Sequence, residues 1–108
     1  PMTARKRGSA GQLRRDGDTD IDNGAVHALR QHGYSLLAAG VLSVRGDFRR
    51  GDVVRCLDHN NEIVAQGLSN YGVAEVAAIK GLASGDYRQA IGYAAEEEVV
   101  HRDNLVLI

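Results

Sequence analysis

Val41-Leu42-Ser43-Val44-Arg45, then Gly46-Asp47-Phe48-Arg49-Arg50-Gly51-Asp52, then Val53-Val54-Arg55-Cys56-Leu57 is the stretch whose reading decides the fold. Its first part alternates, placing Leu42 and Val44 on one face and Ser43 and Arg45 on the other, the period of a half-buried strand. Two Gly-Asp pairs then punctuate the chain as turns, and the β-branched run Val53 to Leu57 predicts a second strand. The polar group Asp58-His59-Asn60-Asn61 precedes Ile63 to Leu68, so Val53 to Leu68 reads as a hairpin.

Working outward, the periodicity lengthens on the N-terminal side. Asp22 is placed to cap a short helix whose apolar face carries Ala25, Val26 and Leu29, and Gly33 is placed to end it in the left-handed conformation. Residues 1–20 are polar and charged and predict a linker or a first edge strand, with the compact domain spanning residues 21–108. On the C-terminal side a second helix is expected from Gly72 or Val73, with Glu75 in its first turn, Val73, Val76 and Ile79 pointing inward and Gly81 ending it. Ser84-Gly85-Asp86 suggests another cap before a helical piece over Tyr87 to Ile91, and Val99-Val100 and Leu105 to Ile108 are strand-like. Short strands outnumber short helices and βαβ alternation is lacking. The expected fold class is therefore mainly β with short helices (α+β), a small barrel or open sandwich of mixed strands with helices over its ends.

Composition narrows the function. Thirteen Lys and Arg against fourteen Asp and Glu leave a formal net charge of -1, so no global field gathers nucleic acid or anionic lipid. Aromatic residues make up 5% of the chain, with no tryptophan, which argues against a base-stacking platform. Arg30, Arg45, Arg49 and Arg50 are the residues from which a local basic groove would have to be built. Cys56 is the sole cysteine, which excludes an internal disulfide and fits a reducing compartment. The apolar runs fall far short of the roughly 20 residues of a membrane span. No membrane association is expected, and the opening Pro1 leads us to expect a piece of a longer protein.

Motifs that carry chemistry are few. His101-Arg102-Asp103-Asn104 has the form of a protein-kinase catalytic loop, but the chain supplies no accompanying phosphate loop, strand lysine or second metal-binding aspartate, and a structural turn is expected instead. No Gly-Lys-Ser or Gly-Lys-Thr completes a P-loop. His27 and His32, at i and i+5, are expected to lie near one another along the helix as solvated residues without both taking one metal-facing side, His59 to be exposed, and His101 to pack or hydrogen-bond. Cys56 reads as a small core residue. Asp16, Asp18, Asp20 and Asp22 lack the glycine and terminal glutamate of a calcium loop and read as solvated.

A series of motifs along most of the chain adds a resemblance. Gly24-Ala25-Val26-His27-Ala28-Leu29, Gly33-Tyr34-Ser35-Leu36-Leu37 and Gly40-Val41 resemble the opening helix and glycine-bearing loop of a PUA domain, and Val44 to Val54 resembles its central strand-turn-strand unit. Ala4-Arg5-Lys6-Arg7, Gly67-Leu68-Ser69-Asn70-Tyr71, Gly92-Tyr93 and Glu98 to Leu107 resemble the junction and C-terminal sequence of bacterial glutamate 5-kinases. Gly8 and Ser9 depart from that pattern, as does Gly72 where a serine cap is usual.

The resemblance implies a PUA-type pseudo-barrel serving as the C-terminal accessory or regulatory domain of an ATP-dependent enzyme that phosphorylates L-glutamate to glutamyl 5-phosphate for proline synthesis in the cytoplasm. ATP and magnesium would belong to the absent kinase domain, which would be this domain's partner within a homo-oligomer. No catalytic residue, cofactor or metal ligand is then expected in this chain. The alternative that the resemblance carries is RNA binding, through a surface of Arg30, Gly33, Ser35, Gly40, Val41 and Arg45.

Overall fold

The computed structural model describes residues 16–94 and 96–108. The readings placed on residues 1–15, including the junction motif and the departures at Gly8 and Ser9, lie outside the described residues.

Among the described residues there are seven strands and three α-helices. They run β1 (Gly17–Ile21), α1 (Asn23–His32), β2 (Leu36–Leu37), β3 (Val41–Gly46), β4 (Val53–Leu57), β5 (Ile63–Leu68), α2 (Val73–Ile79), α3 (Tyr87–Ile91), β6 (Glu98–Val100) and β7 (Leu105–Leu107). Five strands form one mixed sheet in the order β3-β1-β4-β5-β7, and β2 pairs with β6 in a separate antiparallel ribbon. Among the described residues the two sheets do not join into a closed barrel, so the architecture is the open form of the expected pseudo-barrel.

Residues 17–20, which the sequence assigns to a linker or edge strand, lie inside the sheet. β1 pairs antiparallel with β3 and parallel with β4. The strand looked polar because only alternate residues face the core. Register aligns Val44, Thr19, Cys56, Ala65 and Leu107 across the five strands, and Thr19, Cys56 and Ala65 in that row are wholly buried. The next row, on the other face, is Arg45, Asp18, Arg55, Gln66 and Val106. Thr19 survives burial because its hydroxyl donates to the Arg55 carbonyl at 3.1 Å.

The pattern Leu42/Val44 fails at one residue. Val41 pairs with Ile21 and Ser43 with Asp20, leaving Leu42 in a register shift and exposed, while Val41 takes its place in the core. A bulge of this kind resets which face a side chain takes.

The helix signals hold. Asp22 accepts the Ala25 N–H at 2.7 Å, and Gly33, at φ +64°, closes α1 with its own N–H on the Leu29 carbonyl at 3.3 Å. Gly72 caps α2 without a side chain, and its N–H is held by Glu75 Oε1 at 2.8 Å. Ser84 to Asp86 forms a 3-10 turn before α3 without a side-chain cap. Phe48, Tyr71 and Tyr87 are buried from three different loops and helices, with the two tyrosine rings edge-on at 6.0 Å.

Candidate functional site

A cleft lies between α1 and the loop that follows it, with a volume of about 400 Å³. Ala25, Ala28 and Leu29 form its helix wall, and Tyr34, Leu36 and Leu37 form the opposite one. Ala39 and Gly40 close one side of the cleft. Leu37 and Tyr34 stand half-exposed on this surface.

Gly40 is required for that geometry, because a Cβ there would meet Ala25 Cβ at 2.7 Å. The Asp22 N–H also donates to the Gly40 carbonyl at 2.9 Å, so helix start and glycine loop are joined by backbone as well as by contact.

Among the described residues, the cleft's only charged lining groups are the carboxylates of Asp22 and Glu98. β2–β6 pairing delivers Glu98 by setting it opposite Leu37. Ser35 also lines the cleft, and its Oγ accepts the Arg102 N–H at 2.8 Å. That bond brings the His101–Asn104 turn near the cleft through its backbone.

The six surface residues expected from the sequence do not form one patch. Ser35 and Gly40 line the cleft, and Gly33 ends α1 one residue before Tyr34. Val41 is buried in the core. Arg30 is exposed on α1, and its charge bears on Asp58 in the β4–β5 turn.

Arg45 points to the outer face of the sheet, where its guanidinium grips both oxygens of Asp20 and lies 3.8 Å from Asp18. Arg55 donates to Asp18 from the other side at 2.9 Å. Arg50 pairs with Glu96 at 3.5 Å. Two of the four arginines proposed for a basic groove are thus neutralised by acids, Arg45 through the strand pairing that sets Asp20 beside it and Arg50 through Glu96.

These pairings have a pH signature. Burial disfavours the ionised Asp20, but hydrogen bonds from Arg45 and Ser43 outweigh it and hold the carboxyl below the usual range. A depressed folded pKa contributes stability that is fully present above the unfolded value of about 4 and is lost as pH falls through the folded one. We expect the urea midpoint to fall below about pH 4, and the fall to be shallower in Asp20→Asn. An unchanged acid slope in that variant would contradict the pairing.

Other sequence candidates resolve simply. His27 and His32 do come together, with ring centroids 5.4 Å apart, because His32 sits at the last turn of α1 and stacks on Tyr34 at 5.1 Å. Among the described residues no group of three or more His, Cys, Asp or Glu is arranged to hold a metal. Burial pushes the Cys56 thiol up to about 11, which makes it inert as a nucleophile. His101-Arg102-Asp103-Asn104 is a 3-10 turn capped by His101 Nδ1, which accepts the Asp103 N–H at 3.1 Å. Asp22, Tyr34, Leu37 and Glu98 are among the cleft residues that sequence reasoning did not single out as a site. Asp22 carried a visible cap signal and Glu98 only an acidic run.

The fold is an open mixed sheet with an apolar cleft between its first helix and glycine loop, and residues 18–91 match the PUA domain family model. The chain belongs to the PUA domain family. Over all 108 residues it is 46% identical to the glutamate 5-kinase of Chromohalobacter salexigens and 48% identical to that of Nitrosococcus oceani. In both cases it spans 29% of the relative's length.

Among solved structures, a PUA domain from Aeropyrum pernix K1 in a tartrate complex aligns with a TM-score of 0.58. It is 29% identical, over 80% of this chain and 41% of that one. An H/ACA ribonucleoprotein bound to a substrate RNA aligns with a TM-score of 0.55 and 26% identity, over 81% of this chain and 25% of that one. Among the described residues no helix is long and apolar enough to cross a membrane.

Proposed function

We propose that this chain is the non-catalytic, C-terminal regulatory and docking domain of a glutamate 5-kinase. The parent enzyme would transfer the γ-phosphate of ATP to L-glutamate in the cytoplasm, forming glutamyl 5-phosphate for proline synthesis. ATP and magnesium would bind in a kinase part, which would lie in the length of the relatives that this chain does not span.

The observation that carries the docking role is the character of the cleft. Its walls are apolar, its charged lining groups are carboxylates, and two of the four arginines that would have made the domain a polyanion binder are paired with acids. Such a surface suits contact with protein, in this case the kinase part of the same chain or of a neighbouring subunit in a homo-oligomer. Regulation follows if those contacts differ between two states of the enzyme, since only a differential contact shifts an equilibrium.

The resemblance implies that proline is a feedback inhibitor of the parent enzyme, and the test is to compare proline inhibition of the full-length enzyme with that of a form ending before Asp16. Removal of the domain is expected to change the inhibitor concentration for half-activity several-fold while leaving glutamate phosphorylation measurable. Superimposable inhibition curves would remove the regulatory role.

The second reading, RNA binding, is favoured by the likeness to a ribonucleoprotein structure determined with RNA. Fold alone does not fix function, and the charge arrangement on this chain does not support it.

A further inference from the structure

The cleft's occupant can be specified more closely than as protein in general. Three features bear on it. Its walls are aliphatic along α1 and β2, with Leu37 half-exposed, so an occupant gains by burying a hydrocarbon stem. Its charged lining groups are the Asp22 and Glu98 carboxylates, which repel anions and attract cations. The Tyr34 ring, 55% exposed although His32 stacks on one of its faces, presents remaining aromatic surface on which a cation is also favoured.

Arg102 reaches the cleft through its backbone bond to Ser35, and neither its side chain nor that of Arg30, next in the chain to Leu29, is part of the lining. A volume of about 400 Å³ is at the low end of the range for pockets that take a small-molecule-sized group, roughly 300–1,000 Å³, and leaves room for one long side chain.

We infer that the cleft is a socket for one lysine or arginine side chain of the protein partner, the stem lying between α1 and β2 and the cationic head meeting Asp22 and Glu98. This rests on the reading of the domain as a docking module. It differs from a phosphate-gripping site in the sign of charge it requires. A lysine or arginine is the side-chain class that combines a long apolar stem with a positive tip.

Amide NMR of this chain, titrated with n-butylammonium and n-butylguanidinium, reads the socket directly. Shifts confined to Ala25, Leu37, Gly40 and their neighbours are expected, saturating at millimolar concentration, with n-butanol far weaker. Glu98→Gln and Asp22→Asn should each weaken binding about 2- to 5-fold, the scale of a partly exposed ion pair. Asparagine caps a helix about as well as aspartate, so the second variant keeps α1 intact.

The inference is overturned if the cations leave these amides unmoved, or if n-butanol binds equally. It is also overturned if tartrate or inorganic phosphate moves the same amides more strongly, the mark of an anion or RNA site. Cation binding together with unchanged proline inhibition in the truncated enzyme would retain the socket and discard the regulatory role alone.

Discussion

Gly67→Ala is expected to destabilise the domain by about 3 kcal/mol, the upper range for forcing extra volume into packed structure. A Cβ at Gly67 would lie 2.4 Å from the Asn104 carbonyl oxygen, 2.7 Å from Val100 Cγ1 and 3.1 Å from Leu105 Cα. Two of those three neighbours are backbone, so no side-chain rotation relieves the clash. Gly67 pairs with Leu105, and the strain would part β5 from β7 and press on β6 through Val100. Gly85→Ala is the control, since open space surrounds that position, and it should stay within about 0.5 kcal/mol of the parent. Urea midpoints measure both; equal midpoints for the two variants would contradict the β5–β7 packing.

The second large effect concerns one hydroxyl. Tyr87 is wholly buried, and its Oη accepts the Ala38 N–H at 3.1 Å while donating to the Glu97 carbonyl at 2.8 Å. Those two bonds tie the glycine loop to the segment entering β6, the two sides of the chain that meet across the cleft at Leu37 and Glu98. Tyr87→Phe keeps the ring but leaves the buried Ala38 N–H without its acceptor and frees the part-buried Glu97 carbonyl, which costs about 2 kcal/mol. Hydrogen exchange should also quicken at the Ala38 amide. Tyr34→Phe, on an exposed ring, is expected to change neither quantity, and stability of Tyr87→Phe matching the parent would show that water or rearrangement replaces the hydroxyl.

How much of this was legible beforehand depends on how local the cause is. The cap at Asp22, the stop at Gly33 and the hairpin turn at Asp58 to Asn61 are fixed by neighbours within four residues, and each appears where the sequence placed it. The inner position of β1 was not legible, because a strand with aspartates on its outer face looks like a linker until β3 and β4 flank it. The side-chain direction of Leu42 depends on a one-residue register shift against β1, which alternation within β3 cannot reveal.

The same distinction divides the site. Ser35 and Gly40 belong to a continuous motif and do line the cleft, whereas Arg45 was assigned by chain position and is taken up by Asp20, 25 residues earlier. Glu98 joins the cleft only through the β2–β6 register, a pairing between residues about sixty apart. Charge on a strand face has meaning only once its cross-strand partner is known.

The central claim is that this surface meets protein rather than nucleic acid, and fluorescence anisotropy of a labelled structured RNA titrated with the chain tests it most directly. At low salt, weak association through exposed residues such as Arg30 and Arg49 is expected, disappearing at physiological salt as counterion release predicts. Binding that persists at physiological salt and weakens in Arg30→Ala would contradict the account and make the domain an RNA-binding module.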